Sequence, residues 1–311
     1  MATWSVSHTA PRANPDLGHK LRLALAIAAA AGFVAWLAIH GFDYYRLDLD
    51  QRVESDLHRD LRPSGAIGLK LGILGVALFL VLFLYPLRKR VRWMASIGKT
   101  KHWLDFHSLV GITAPIVVTF HAAFKFGGVA GWAYWIMIAV AASGFIGRYL
   151  YTQIPRSIHT NEMTATELDT ELAHLAEELA PQLVLQPQQL AALLNIPSAA
   201  DVRRLPLVSV LWSMMLLDLR RPFLVSSLRR GVLSGGQQLS TLFGFLPSTN
   251  RELEQVIDSA TRQARLRTKI AFLDRVRQMF HLWHVIHRPF SISFACLIVI
   301  HIGVVIGLGY F

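Results

Sequence analysis

HSLVGITAPIVVTFH at residues 107–121 and HRPFSISFACLIVIH at residues 287–301 each begin and end on histidine, fourteen positions apart. On an α-helix fourteen residues make almost four turns, so the two rings of a pair leave within roughly 40° of one another. They stand roughly 21 Å apart along the axis, inside a hydrocarbon core about 30 Å thick. Two such helices side by side offer two stacked bis-histidine sites, one toward each membrane surface.

Composition points to a membrane. Of 311 residues, 53% are hydrophobic and 16% charged, and mean hydropathy is +0.40. The apolar residues fall in five blocks, 21–40, 66–87, 107–126, 130–151 and 283–310, each near the ~20 residues a spanning helix needs. The first block follows Lys20 and Arg22 as a signal peptide would. It runs on into Trp36, His40 and Tyr44–Tyr45 without a clear small-residue cleavage site, and so reads as a retained anchor. The expectation is an all-α membrane protein of about five transmembrane helices. A polar tail (1–20) precedes helices 1–4 (21–151, with a loop at 41–64); a helical insert (152–280) and helix 5 (281–311) follow.

The net charge of +11 is unevenly spread. Arg88, Lys89, Arg90, Arg92, Lys99 and Lys101 follow the second block without an acidic residue, whereas the loop after the first holds Asp43, Asp48, Asp50, Glu54, Asp56 and Asp60. By the positive-inside rule the N-terminus, 88–101 and 152–280 are cytoplasmic, and 41–64 and the C-terminus periplasmic or exterior. The basic excess reports topology, not nucleic-acid binding. Cys296 is the single cysteine, which excludes a CxxCH-attached haem, an iron–sulfur cluster and a disulfide framework within the chain.

The insert shows no Gly-rich phosphate loop. Leu168, Leu172, Leu175 and Leu179 stripe an amphipathic helix over 166–179, and 185–195 predicts a second. The apolar stretch 206–219, bounded by Pro206 and Arg220-Arg221-Pro222, is too short to span and carries Asp218, so an interfacial or core helix is expected. A charged helix from about 250 to 278 feeds the last span. Gly65, Gly68, Gly72 and Gly75 in the second span read as close helix packing.

Alternating topology makes the third and fifth spans parallel, so His107 pairs in depth with His287 and His121 with His301. A lone intramembrane histidine is ordinarily a packing residue; two pairs of one spacing on parallel helices point to axial ligands of two b-type haems. A bis-histidine iron has no open position and suits electron transfer. Gly111, Gly144, Gly147, Gly303 and Gly307 would admit a porphyrin or a neighbouring helix. Arg148, Arg288 and Lys125 stand at heights for haem propionates or for ordinary interfacial anchoring. Pro289 should bend the helix near His287. His281, His284 and His287 are a poor zinc set, since steps of three drift about 60° each. His284 remains a candidate for a propionate, a quinone or a third haem, and His102 and His40 are weaker ones.

His107-Ser-Leu-Val-Gly111 through Thr119-Phe-His121, and Trp283-His-Val-Ile-His287-Arg-Pro through His301, resemble the membrane di-haem cytochromes b. Ser143-Gly-Phe-Ile-Gly-Arg-Tyr-Leu-Tyr151 into Ile154-Pro-Arg156, with Pro63-Ser-Gly65 and Tyr85-Pro-Leu-Arg-Lys-Arg90, is similar to bacterial membrane proteins of the cytochrome b and ferric-reductase-like group. The resemblance implies an electron-transfer subunit of a respiratory or photosynthetic complex in the bacterial inner membrane. Its partners would be Fe–S, flavin or c-type cytochrome subunits and a quinone. The chain departs from respiratory cytochrome b in its fewer spans and large insert, so that family's quinone site does not carry over. Two other readings stand beside this one. One is a self-contained quinone or metal-ion reductase, for which no flavin or nicotinamide module is present. The other is a non-redox assembly or transport protein.

Overall fold

The computed structural model describes residues 16–155, 165–179, 185 and 187–309; the tail to residue 15 and Arg156 lie outside them. Among the described residues the chain is helical, without strands. Five helices are long and apolar enough to cross a membrane by length and composition, the pattern of a multi-pass membrane protein. The chain divides into two compact units, one of residues 1–146 with 286–311, the other of 147–285.

The first unit begins with α1 (Leu17–His40), an Ala- and Leu-rich helix, and two short helices, α2 (Phe42–Tyr45) and α3 (His58–Leu61). Next come α4 (Ala66–Leu82), α5 (Leu84–Arg90), α6 (Arg92–Ala95), α7 (Thr100–His121) and, as far as residue 146, α8 (Gly128–Gln153). Leu37, Leu71, Val117 and Phe120 form its core between α1, α4 and α7. In lipid the water-driven burial term is absent, so close approach of small residues carries helix packing. The α4 glycines supply it: a Cβ on Gly75 would meet Val118 at 2.8 Å.

The third span differs from the sequence reading at both ends. It begins at Thr100, seven residues earlier than expected, because its polar first turns find partners: His19 Nε2 lies 2.9 Å from Asp105 Oδ2 and the His19 and His102 rings stack at 3.6 Å. It ends at His121, because Ala123 and Phe124 adopt positive φ, 47° and 60°. A right-handed helix cannot continue through residues of positive φ. Lys125 therefore sits in a turn, exposed, instead of one helical turn beyond His121.

Arg52 fastens this turn to the preceding loop. Its buried guanidinium donates to the carbonyls of Ala123 at 2.5 Å, Tyr45 at 2.8 Å and Leu47 at 3.0 Å. Arg52→Ala strands three carbonyls that took a charged donor, and a loss of about 3 kcal/mol is expected. Faster amide exchange over 44–57 and 122–125 checks it; unchanged protection there would refute the clamp.

The second unit holds α9 (Ala165–Leu179), α10 (Pro187–Leu194), α11 (Ala199–Arg204), α12 (Leu207–Val232), α13 (Gly235–Ser240) and the first part of α14 (Arg251–Gly307). Leu168, Leu175 and Leu179 are buried along α9. Two cores line α14: Leu179, Leu193, Leu228, Leu253 and Ile257 in one, and Leu150, Val202, Val210, Met214, Phe272 and Val276 in the other. The stretch expected at 206–219 is longer, 26 residues running through Pro222. Proline removes one donor to the Asp218 carbonyl, while the Asp218 side chain grips Arg221 at 2.6 Å across the same turn. The charged segment and the last span are one 57-residue helix, helical through Pro289.

Candidate cofactor site

All four paired histidines belong to the first unit. His107 Nδ1 lies 3.1 Å from the carbonyl of Leu82. That carbonyl would ordinarily accept from the N–H four residues on, but residue 86 is proline and has none. The imidazole N–H takes the place of the missing donor. Tyr85 flanks the same ring at 5.2 Å between centroids.

His121 Nδ1 is 2.8 Å from the carbonyl of Gly68, and the ring lies flat on Gly72, where a Cβ would meet Cε1 at 2.7 Å and Nδ1 at 2.9 Å. Only glycine leaves this space. His287 Nδ1 is 2.7 Å from Ser143 Oγ, whose own hydroxyl donates to the Val140 carbonyl at 2.7 Å. A carbonyl can only accept, and the Ser143 proton is already committed. Each of these three rings thus donates from Nδ1, which in a neutral imidazole makes Nε2 the acceptor nitrogen. Anchoring one nitrogen on an oxygen acceptor while the other keeps its lone pair is how proteins prepare an imidazole for a metal.

Contacts along α8 place the histidines in height. Thr119 Oγ1 meets Tyr134 Oη at 3.0 Å, which fixes α8 against the His121 end of α7. Ser143 is nine residues further along α8, about 13 Å back toward the start of α7. His287, bonded to Ser143, therefore lies within about a turn of the height of His107. His301 is an electrostatic neighbour of His121. Helices α7 and α14 run parallel in this unit, with Phe294, seven residues from each of its histidines, packed edge-on against Phe79 of α4 at 4.9 Å.

The other expected residues are more dispersed. A Cβ on Gly111 would touch only Leu82, at 3.8 Å, and one on Gly144, Gly303 or Gly307 would meet nothing within 4 Å. Arg288 and Lys125 are exposed. In the second unit, Arg148 is half-buried, Gly147 packs under the Trp283 ring, and His284 donates from Nδ1 to its own helix at Phe280, 2.9 Å away. His40 stacks on Trp36 at 5.3 Å. Among the described residues no three His, Cys, Asp or Glu side chains are grouped to hold a metal ion; two imidazoles serving a porphyrin iron need no such group.

Sequence reasoning passed over three supports: Ser143, the Leu82 carbonyl and Tyr45. Pro86 was the readable sign of an unpartnered carbonyl at Leu82. Tyr45 Oη is buried without a hydrogen-bond partner, beside Phe120 and Phe124 at 5.3 and 5.1 Å. Burial pushes its phenol up to about 12, so it stays a donor across the physiological range. No protein-family model, curated protein or solved structure matches the chain.

Proposed function

We propose that the chain is a di-haem b-type cytochrome carrying electrons across a bacterial cytoplasmic membrane. The observation that supports it is the set of histidines at two heights on parallel α7 and α14, three of them anchored through Nδ1 on an oxygen of a neighbouring helix or turn. His107 and His287 would hold one haem, His121 and His301 the other. Bound haem supplies reversible one-electron chemistry that no side chain here offers.

The chain's own contribution is orientation and insulation. Leu82, Gly68 and Ser143 fix the ring planes and raise the basicity of the ligating nitrogens. Phe79 and Phe294 meet edge-on between the two heights, where they would help to keep water out. Tyr45 offers a hydroxyl to an acidic group near the His121 end, and Arg288 and Lys125 offer cations at the boundaries. With the basic 88–101 loop cytoplasmic, His107 and His287 serve the cytoplasmic side. Electrons would pass between a quinone pool or redox partner on one side and a partner subunit on the other, with Fe–S, flavin or c-type cytochrome proteins as the partner classes.

A dithionite-reduced minus oxidised spectrum with pyridine-haemochrome quantification on the detergent-solubilised chain tests this. About two b-type haems per chain are expected. Folded protein without haem would overturn the reading.

Gly72 gives a second test, at a residue that ligates nothing. Gly72→Leu forces the His121 ring off its seat, since even a Cβ there would stand 2.7 Å from Cε1. Haem content should fall by about half with the rest of the spectrum intact. Full haem content in this variant would mean that the ring position does not matter for binding.

A further inference from the structure

Helix α12 is apolar on two opposite sides. Val210, Met214, Leu217 and Leu228 face the interior cores. Val208, Trp212, Met215, Leu219 and Phe223 are 80%, 67%, 46%, 65% and 58% exposed, and their spacing of four, three, four and four residues confines them to an arc of about 80° on the other side. Phe223 meets Phe245 edge-on at 5.7 Å, and through it the stripe joins exposed Leu242, Phe243 and Leu246. Leu242 and Phe243 hold positive φ, 47° and 56°, a costly backbone state for bulky residues that turns apolar side chains to the surface. A water-soluble domain seldom keeps such a continuous patch uncovered.

The surroundings of the patch select its occupant. Between residues 205 and 250 the charged residues are four arginines and Asp218. Arg221 is neutralised by Asp218 and Arg229 by Glu254, which leaves Arg220 and Arg230 as basic neighbours of an otherwise uncharged surface. An apolar face carrying Trp and Phe with flanking arginines is the composition of a helix that lies in a membrane interface. The unit is also joined to apolar helices at both ends: α8 leads into it, and α14 runs from it without a break into the last span. That linkage holds it at a bilayer at high local concentration. α12 itself is not among the five helices apolar enough to cross.

We infer that the α12 stripe, with the 242–246 turn, seats in the acyl boundary of a bilayer containing anionic phospholipid, as an in-plane contact and not a sixth span. This stands whether or not the histidines bind haem. The test uses the full chain with Cys296→Ser, carrying a nitroxide on Met215→Cys, Leu219→Cys or Leu242→Cys, and on Gln255→Cys as an exposed control, in phosphatidylglycerol/phosphatidylcholine nanodiscs. Power saturation should show the first three labels more accessible to oxygen than to a water-soluble nickel complex, at a depth of about 5–10 Å, and the control the reverse. Nickel accessibility like the control's would overturn the proposal. So would shielding from both reagents, which would mean that protein covers the stripe.

Discussion

His121→Ala should lower the haem content from about two per chain to about one, and His301→Ala should remove the same haem. His107→Ala and His287→Ala should each remove the other. The decisive comparison is between double variants. His121→Ala with His301→Ala should lose no more than either change alone, because both empty one site. His121→Ala with His287→Ala should lose both haems. Residues acting as a unit are non-additive in this way, and independent ones add. Pyridine-haemochrome quantification reads the result directly. If the first pair proved additive and the second not, the pairing by height would be wrong, although the histidines would still be ligands.

Asp218→Ala should be the most damaging single change in the second unit. One oxygen of this carboxylate accepts from Tyr149 Oη at 2.9 Å and Gln153 Nε2 at 2.8 Å, and the other from Arg221 at 2.6 Å. Arg221 is itself buried and reaches on to Thr268 at 3.3 Å. Removing the anion leaves a buried guanidinium without its counter-charge. A buried pair broken in this way costs roughly 3–5 kcal/mol, and the part-exposed carboxylate puts this case near the lower figure. A fall of about 10 °C in the thermal midpoint of a unit this size follows. Thermal unfolding of the solubilised protein measures it. Asp218→Asn, which keeps one acceptor oxygen and replaces the other with an NH2 donor, should recover part of the loss; if alanine and asparagine were equally harmless, the cluster would not hold the unit together.

The spans were legible in the sequence because apolar length is a property of consecutive residues and needs no partner. The leucine stripe of α9 and the continuity of the charged segment with the last span were legible for the same reason. The helix ends were less so. The sequence reading carries the third span to 126, whereas the helix stops at His121, where Ala123 and Phe124 turn to positive φ and Arg52, some seventy residues earlier in the chain, captures the Ala123 carbonyl. The α12 reading stopped short at Arg220-Arg221-Pro222, where the side-chain bond of Arg221 to Asp218 and the flanking cores carry the helix on.

The candidate site divides in the same way. Spacing alone singled out His107, His121, His287 and His301, since fourteen residues on a helix set both face and depth. Which nitrogen of each ring holds the proton was beyond the sequence. That depends on the Leu82 carbonyl left over by Pro86, on the Gly68 carbonyl exposed beside Gly72, and on a serine whose own proton is already spent. The sequence by itself determined a helical chain of five apolar spans and the positions of four imidazoles. Only the tertiary structure decided how those rings are held and that α12 is apolar on two opposite sides. Hydrogen bonds between distant segments, and the choice of which apolar face is buried, are properties of packing and not of local order.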